Sequence, residues 1–342
     1  MNKFKENINI LIFVLFSSVI VCDDGDIISK VATSGANWLK LETDARAVGM
    51  GGAYTAMGSG ISGVPYNPAS IAFVDKQEGF LSHTNYVAGI SYSVLGYSQN
   101  LNQSGTDYFG VHLFSLDSGS MDVTIDDANN QSGTGETFKF TGICVRGTYA
   151  RRLTDRLRIG VTGKYIREQI YTTFMHTYAF DIGSNFNTGL YGFVFGMSIS
   201  NIGPEGKYQG EGLTDYSVDD EGNYELSTEP FPLPMILRLG VTNELIGPDS
   251  EVMQSDDHKL LLAVDAINPI DYTLYGTLGM EYSWNEMIYG RMGYRMGHDT
   301  AKWSLGLGFR VKGDGYKIGL DYAYVNYDVL DFTHQFGLNF EF

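Results

Sequence analysis

The stretch Asp331-Phe332-Thr333-His334-Gln335-Phe336-Gly337-Leu338-Asn339-Phe340-Glu341-Phe342 decides the fold. Phe332, His334, Phe336, Leu338, Phe340 and Phe342 share one face, and Thr333, Gln335, Gly337, Asn339 and Glu341 take the other, which is the two-residue period of a strand. A face so rich in large apolar side chains must meet either a protein core or lipid. A soluble sandwich can also close on such a strand, so the rest of the chain decides between the two.

Working backwards, the same alternation recurs at short spacing. In Trp303 to Lys312 the side chains of Trp303, Leu305, Leu307, Phe309 and Val311 point one way, and those of Ser304, Gly306, Gly308, Arg310 and Lys312 the other. Tyr316 to Tyr324, Met287 to Met296 and Tyr272 to Ser283 repeat it. Earlier segments follow at 77–87, 90–99, 106–115, 137–150, 156–167, 171–186, 190–201, 234–243 and 258–267. With the closing strand at 331–342 this gives about fourteen segments, an even number, each about long enough to cross a bilayer when tilted. Leu305, Leu307, Phe309, Leu338 and Phe340 are expected to face lipid. Connection lengths alternate in the same sense. Leu153-Thr154-Asp155, Asn187-Thr188-Gly189, Trp284-Asn285-Glu286 and Gly313-Asp314-Gly315 are short, while 115–137 and 202–233 fall on the other parity, where a transmembrane barrel carries its outer loops. Two connections fit less well: 244–257 is long for its side and Asn268 to Asp271 short.

Composition agrees with strands that have one wet face. Gly 42, Tyr 23 and Phe 20 stand against Pro 8, and 18% of residues are charged. After Val21 no run approaches the ~20 consecutive apolar residues that a membrane helix needs. Residues 1–22 read as a cleaved signal peptide: Lys3 and Lys5, then the apolar run Ile10 to Val21, then Asp23-Asp24-Gly25. Cys22 occupies a lipobox-like position but follows the branched Val21, so ordinary cleavage is the simpler reading. Only Cys144 then remains, and no disulfide framework is available. A formal charge of -17 argues against nucleic acid as a partner.

Residues 23–76 break the pattern, being Gly- and Ala-rich and too apolar for a linker. They hold Asp44-Ala45-Arg46-Ala47-Val48-Gly49-Met50-Gly51-Gly52-Ala53-Tyr54-Thr55-Ala56 and Tyr66-Asn67-Pro68-Ala69-Ser70-Ile71-Ala72. Together these resemble the N-terminal signature of the PorV/PorQ family of FadL-like outer-membrane barrels. Pro232-Leu233-Pro234 leading into Leu237-Arg238-Leu239-Gly240-Val241 is similar to that family's approach to a mid-barrel strand. Tyr149 to Asp155 followed by Ile159 to Tyr165 is a third match. The resemblance implies an all-β transmembrane barrel (77–342) in the bacterial outer membrane, with residues 23–76 as a luminal hatch. It also implies one of two roles: accessory to type IX secretion, receiving cargo with C-terminal sorting domains, or FadL-like passage of hydrophobic small molecules. An uncommitted porin is a third reading. The aromatic end, Phe340 and Phe342, resembles the signal read by the barrel-assembly machinery.

The candidate site residues follow from these segments. Gly49, Gly51 and Gly52 suit close backbone approach and positive φ, and Asn67-Pro68 a side-chain-capped turn. Arg46, inside a barrel, must find a carboxylate or carbonyls. On the wet face stand Arg238, Asp265, Glu281, Arg291, Arg295, Arg310, Lys312 and Asp321, as a solute path, a peptide-carboxylate cradle or simply paired luminal charge. Gly49 to Gly52 lacks the Gly-Lys-Ser/Thr ending of a phosphate loop. The acidic stretch Asp215 to Glu229, with Asp219-Asp220-Glu221, lacks EF-hand spacing and reads as a solvated outer loop. No His-x-x-x-His pair or Gly-x-Ser-x-Gly elbow is present, and His112 and His334 read as packing groups. Neither an enzyme, a cofactor nor a metal is expected.

Overall fold

A computed structural model describes residues 30–124, 134–213, 217–218, 224–225 and 227–342. Residues 1–22, expected to be a signal peptide, and Cys22 with them lie outside the described residues, as do Asp219, Asp220 and Glu221 of the acidic stretch.

All of the alternating segments form strands: β1 (Gln77–Asn85), β2 (Ser91–Asn100), β3 (Asp107–Asp117), β4 (Phe140–Arg152), β5 (Leu157–Ile170), β6 (Thr173–Asn187) and β7 (Val194–Ile202). The second half follows as β8 (Ile236–Gly247), β9 (His258–Pro269), β10 (Tyr275–Trp284), β11 (Ile288–Met296), β12 (Trp303–Gly313), β13 (Tyr316–Asn326) and β14 (Phe332–Glu341). Each pairs antiparallel with its sequence neighbours, and β1 pairs with β14 from Glu78↔Glu341 to Asn85↔His334, so the fourteen strands close into a barrel. No described helix is long and apolar enough to cross a membrane. Closure is what the lipid demands, because an open edge would leave backbone groups with no partner in hydrocarbon.

The alternation has the expected sense. Leu305, Leu307 and Phe309 point outward, Leu307 being 65% exposed, while Ser304 on the same strand is 2% exposed. Amphipathic aromatics sit on the outward face, as at membrane interfaces: Tyr165 and Tyr178 lie 5.6 Å apart, and His334 Nδ1 is 2.6 Å from the Tyr322 hydroxyl. His112, by contrast, points inward and is fully buried.

Connections are short at one end. Between β10 and β11 both Asn285 and Glu286 take φ of 50°, and between β12 and β13 Gly315 takes φ of 82°. The other end carries the long connections. That between β3 and β4 includes a short pair, Met121–Asp122 with Thr137–Phe138. That between β7 and β8 adds Gln209–Gly210 to the β6 edge and bridges Gly206 to Phe231. Two departures stand out. Tyr171 and Thr172 alone join β5 to β6 at the long-loop end, while the connection after β8, at the short end, pairs Met253–Gln254 in parallel with Ile246 and Gly247.

Residues 31–74 stay out of the wall. They fold as short 3-10 turns, Asn37–Lys40, Ile61–Gly63 and Pro68–Phe73, around a short helix α1 (Ala45–Gly49), and most of them are buried. Most of their contacts are with inward-facing strand residues, and a few, such as Lys40 with Asp271, reach the connections.

Leu307→Arg places a charge on the outward face near mid-strand and is expected to cost about 2–4 kcal/mol. Asn339→Lys adds the same charge on the inward face of β14, beside a cavity of about 230 Å3, and avoids that penalty. Gly308, inward on the same strand as Leu307, would not serve as the control, because a Cβ there would meet Asp321 Oδ1 at 2.7 Å. Urea titration of the heat-modifiable band in reconstituted vesicles reads the difference, and equal losses at 307 and 339 would contradict the assigned faces.

Candidate functional site

The site is the meeting of residues 31–74 with the inner wall. α1 starts at Asp44, whose carboxylate accepts the Arg46 N–H at 2.9 Å, an N-cap that satisfies an otherwise orphaned donor. Burial pushes the Asp44 carboxyl up from its ordinary range. The helix ends into Gly51 and Gly52, at φ of 69° and 85°, as the sequence predicts for a packed turn. Gly49 is helical, and its need is for space instead: a Cβ there would come 2.9 Å from Gly306 Cα on β12. Asn67 is extended, its side chain accepting from the Ala69 N–H at 3.0 Å, and Pro68 begins the following turn.

The wall is shaped to receive this segment. Inward-facing glycines occur in mid-strand where its backbone passes: Gly160 lies under Pro68, Gly183 under Asn67, Gly196 under Thr55 and Ala56, and Gly293 under Gly51. Polar inward residues then take up backbone groups that strands or water would otherwise satisfy. Asp265 accepts from the Tyr54 and Thr55 N–H groups at 2.9 and 2.8 Å. Glu78 accepts from Ile61 N–H at 2.9 Å, Asn185 donates to Ala56 O at 2.7 Å, and Ser198 donates to Tyr66 O at 2.6 Å.

Charge holds the other flank. Arg46 reaches Glu281 of β10 with two hydrogen bonds, Nε to Oε2 at 2.8 Å and Nη2 to Oε1 at 2.7 Å. Glu281 also accepts from Arg291 Nε at 2.5 Å, Arg291 Nη1 donates to Asp321 at 2.7 Å, and Arg310 donates to the same carboxylate at 2.6 Å. Arg295 donates to Gly51 O at 3.0 Å and to Glu42 at 2.6 Å. Five of the sequence-chosen groups, Arg46, Glu281, Arg291, Asp321 and Arg310, thus form one chain of alternating sign. Asp265 serves backbone, Arg238 lies 3.5 Å from Ser200 Oγ, and Lys312 stands apart, paired with Glu286 at the short-turn mouth. The expectation of a wet inner face is corrected here. Glu281, Asp321 and Arg291 are nearly inaccessible because residues 31–74 occupy the space where water would stand.

Toward the loop end the sequence reading missed a second junction. Glu168 of β5 accepts from Trp38 Nε1 at 2.7 Å and from the Tyr208 hydroxyl of the β7–β8 connection, and Gly35 N–H donates to Pro232 O at 2.9 Å. The N-terminal segment and the outer connection are therefore fastened to each other. Trp38 stacks on Phe114 at 5.3 Å and Phe114 on Tyr92 at 5.4 Å, giving this end an apolar interior. At the rim, burial lowers His298 to about 4, beside Tyr272 and Tyr275. The mid-strand inward glycines are the signal in the sequence for the seating of residues 31–74, since alternation alone places them on the buried face; the junction at Glu168 has no such signal. Among the described residues no cluster suited to a metal ion occurs.

The model for a family described as type IX secretion system protein PorV matches residues 26–227. Among solved structures, the fold is similar to the Pseudomonas putida toluene transporter TodX, at 13% identity and a TM-score of 0.57, covering 88% of this chain and 97% of that one. It is similar also to a Pseudomonas aeruginosa FadL homologue, at 14% identity and a TM-score of 0.54, covering 87% and 97%. The Ralstonia pickettii toluene transporter TbuX aligns at 11% identity and a TM-score of 0.55, covering 88% and 98%. No curated protein is similar enough in sequence to count as a match.

Glu281→Gln leaves Arg46 and Arg291 facing each other without their shared counter-charge and is expected to destabilise the assembled barrel by about 3–5 kcal/mol. Arg46→Met should cost less, since Arg291 still neutralises Glu281. Urea midpoints of the two variants decide the order, and a more damaging Arg46→Met would mean the wall charges do not depend on Glu281.

Proposed function

Because the chain belongs to the family of type IX secretion system protein PorV, we propose that this outer-membrane barrel is an accessory of protein secretion. In that role it receives cargo bearing C-terminal sorting domains at its loop end, with residues 31–74 as a fixed plug. One observation carries the reading: every strand of the barrel touches the plug. The contacts run from Glu78 on β1 and Tyr92 on β2 round to Gly306 on β12 and Gly337 on β14, several of them backbone against backbone. A solute could pass that level only after the plug gave up the Arg46–Glu281 pair and the Asp265 bonds together. A receiver of folded domains needs no such passage. It needs a held outer surface, and the bonds from Trp38 and Tyr208 to Glu168 favour one by tying the described start of the β7–β8 connection to the plug.

The second reading, passage of hydrophobic small molecules, draws on the likeness to the toluene transporters and on the stacked Trp38, Phe114 and Tyr92 beneath the loops. A ligand would have to part those rings. Catalysis and a resident cofactor have no place in either reading.

Replacing residues 207–230 by a short Gly-Ser linker separates the two. Under the secretion reading, co-purification of secretion components and cargo falls to background while uptake of a hydrophobic solute by whole cells is unchanged. Lost uptake with partner binding intact would make passage of small molecules the function.

A further inference from the structure

The outward face carries a cation that the plug, the ion chain and the loop junction do not use. Arg167 of β5 is exposed and directly opposite His176 of β6, also exposed. The row to which they belong, Ile143–Arg167–His176, lies one step nearer the loop end than the row Val145–Tyr165–Tyr178. The two tyrosines of that second row mark the interfacial aromatic level. A step of two residues along a strand is about 7 Å. Arg167 therefore stands where acyl chain gives way to headgroup, at the end of the barrel whose long connections place it in the outer leaflet.

Its partners inside the protein are few. Arg167 donates to Gln169 Oε1 at 3.4 Å and lies 5.8 Å over the Phe174 ring, and no carboxylate pairs with it among the described residues. Phe174 in turn stacks on His176, with centroids 6.1 Å apart and planes 14° from parallel, which holds guanidinium and imidazole side by side. Lys139, one residue beyond β4 toward the loops, adds a third basic group, though its ammonium is 3.1 Å from Asp117. An unpaired guanidinium on a lipid-facing wall is costly at depth and tolerable at the interface, where an anion can meet it. On a chain of formal charge -17 this patch is a local reversal of sign. A guanidinium presents paired donors that match a phosphate, and an adjacent imidazole adds a third.

We propose that Arg167 and His176 bind the phosphate of a phosphorylated glycolipid in the outer leaflet, with Phe174 positioning both. The inference rests on the barrel and its faces, and would survive failure of the secretion reading.

The test uses the full-length assembled protein in detergent, with diphosphoryl lipid A as probe and native mass spectrometry as readout. The wild type should retain the lipid, and R167Q/H176Q should weaken it by about tenfold or more, the loss of one or two charge-assisted hydrogen bonds. R151Q, which removes an outward cation at the short-turn end, should bind like the wild type. If the double variant fails to assemble, as shown by loss of heat modifiability, R167Q alone is measured against the same expectation. Unchanged binding in the assembled variant, or equal binding of fully dephosphorylated lipid A, would overturn the proposal. So would displacement of the lipid by millimolar inorganic phosphate, because the site would then be one for the free anion.

Discussion

Backbone polar groups cannot be left unpaired in hydrocarbon, and this single requirement organises the molecule. It forces β1 to pair with β14, closes the sheet, and so creates an interior. Side chains of alternate residues point into that interior, but the chain uses small ones there at many positions, leaving a space that must be filled. The residues ahead of β1 fill it. Their own backbone then faces the same accounting, and because they form single turns in place of long helices, much of it is paired with wall side chains: Asp265, Glu78, Asn185 and Ser198 each serve main-chain atoms of the plug.

The buried charges follow from this filling. Glu281, Arg291 and Asp321 are withdrawn from water by the segment that brings Arg46 to them, so the desolvation that makes them expensive and the partner that makes them tolerable arrive together. Such a network adds little net stability over a well-packed apolar alternative. What it does is penalise any register in which Arg46 misses Glu281, a specificity that a stripe of alanines and glycines such as Ala45 to Gly49 lacks by itself.

The wall was legible in the sequence because period-two alternation is a local property, readable from a dozen residues, and lipid on one side makes it strict. Trp303 to Lys312 shows this plainly, and the strand limits differ by only a few residues. Residues 31–74 were legible as an exception to the alternation but not in their path. Asp44 to Gly52 announces a capped helix and a glycine turn, yet nothing local to Arg46 names Glu281 as its partner, 235 positions away. Alternation puts Glu281, Arg291 and Asp321 on one face but says nothing of whether that face is wet, since wetness depends on what else occupies the barrel. Trp38, Glu168 and Tyr208 went unnoticed for the same reason: each is ordinary in its own segment, and their significance lies only in convergence.

The inward glycines carry a consequence for how the molecule is put together. Gly306 meets Gly49, and Gly160 meets Pro68, with no side chain between them, on opposite sides of the interior. Residues 31–74 cannot slide through a closed ring at that clearance. The folded segment and the closed ring therefore fit in this one seating, with no slack between them at these glycines. Residues 31–74 thus act as a gauge for the strands that follow, the bore of the wall being matched to the thickness of the segment it encloses.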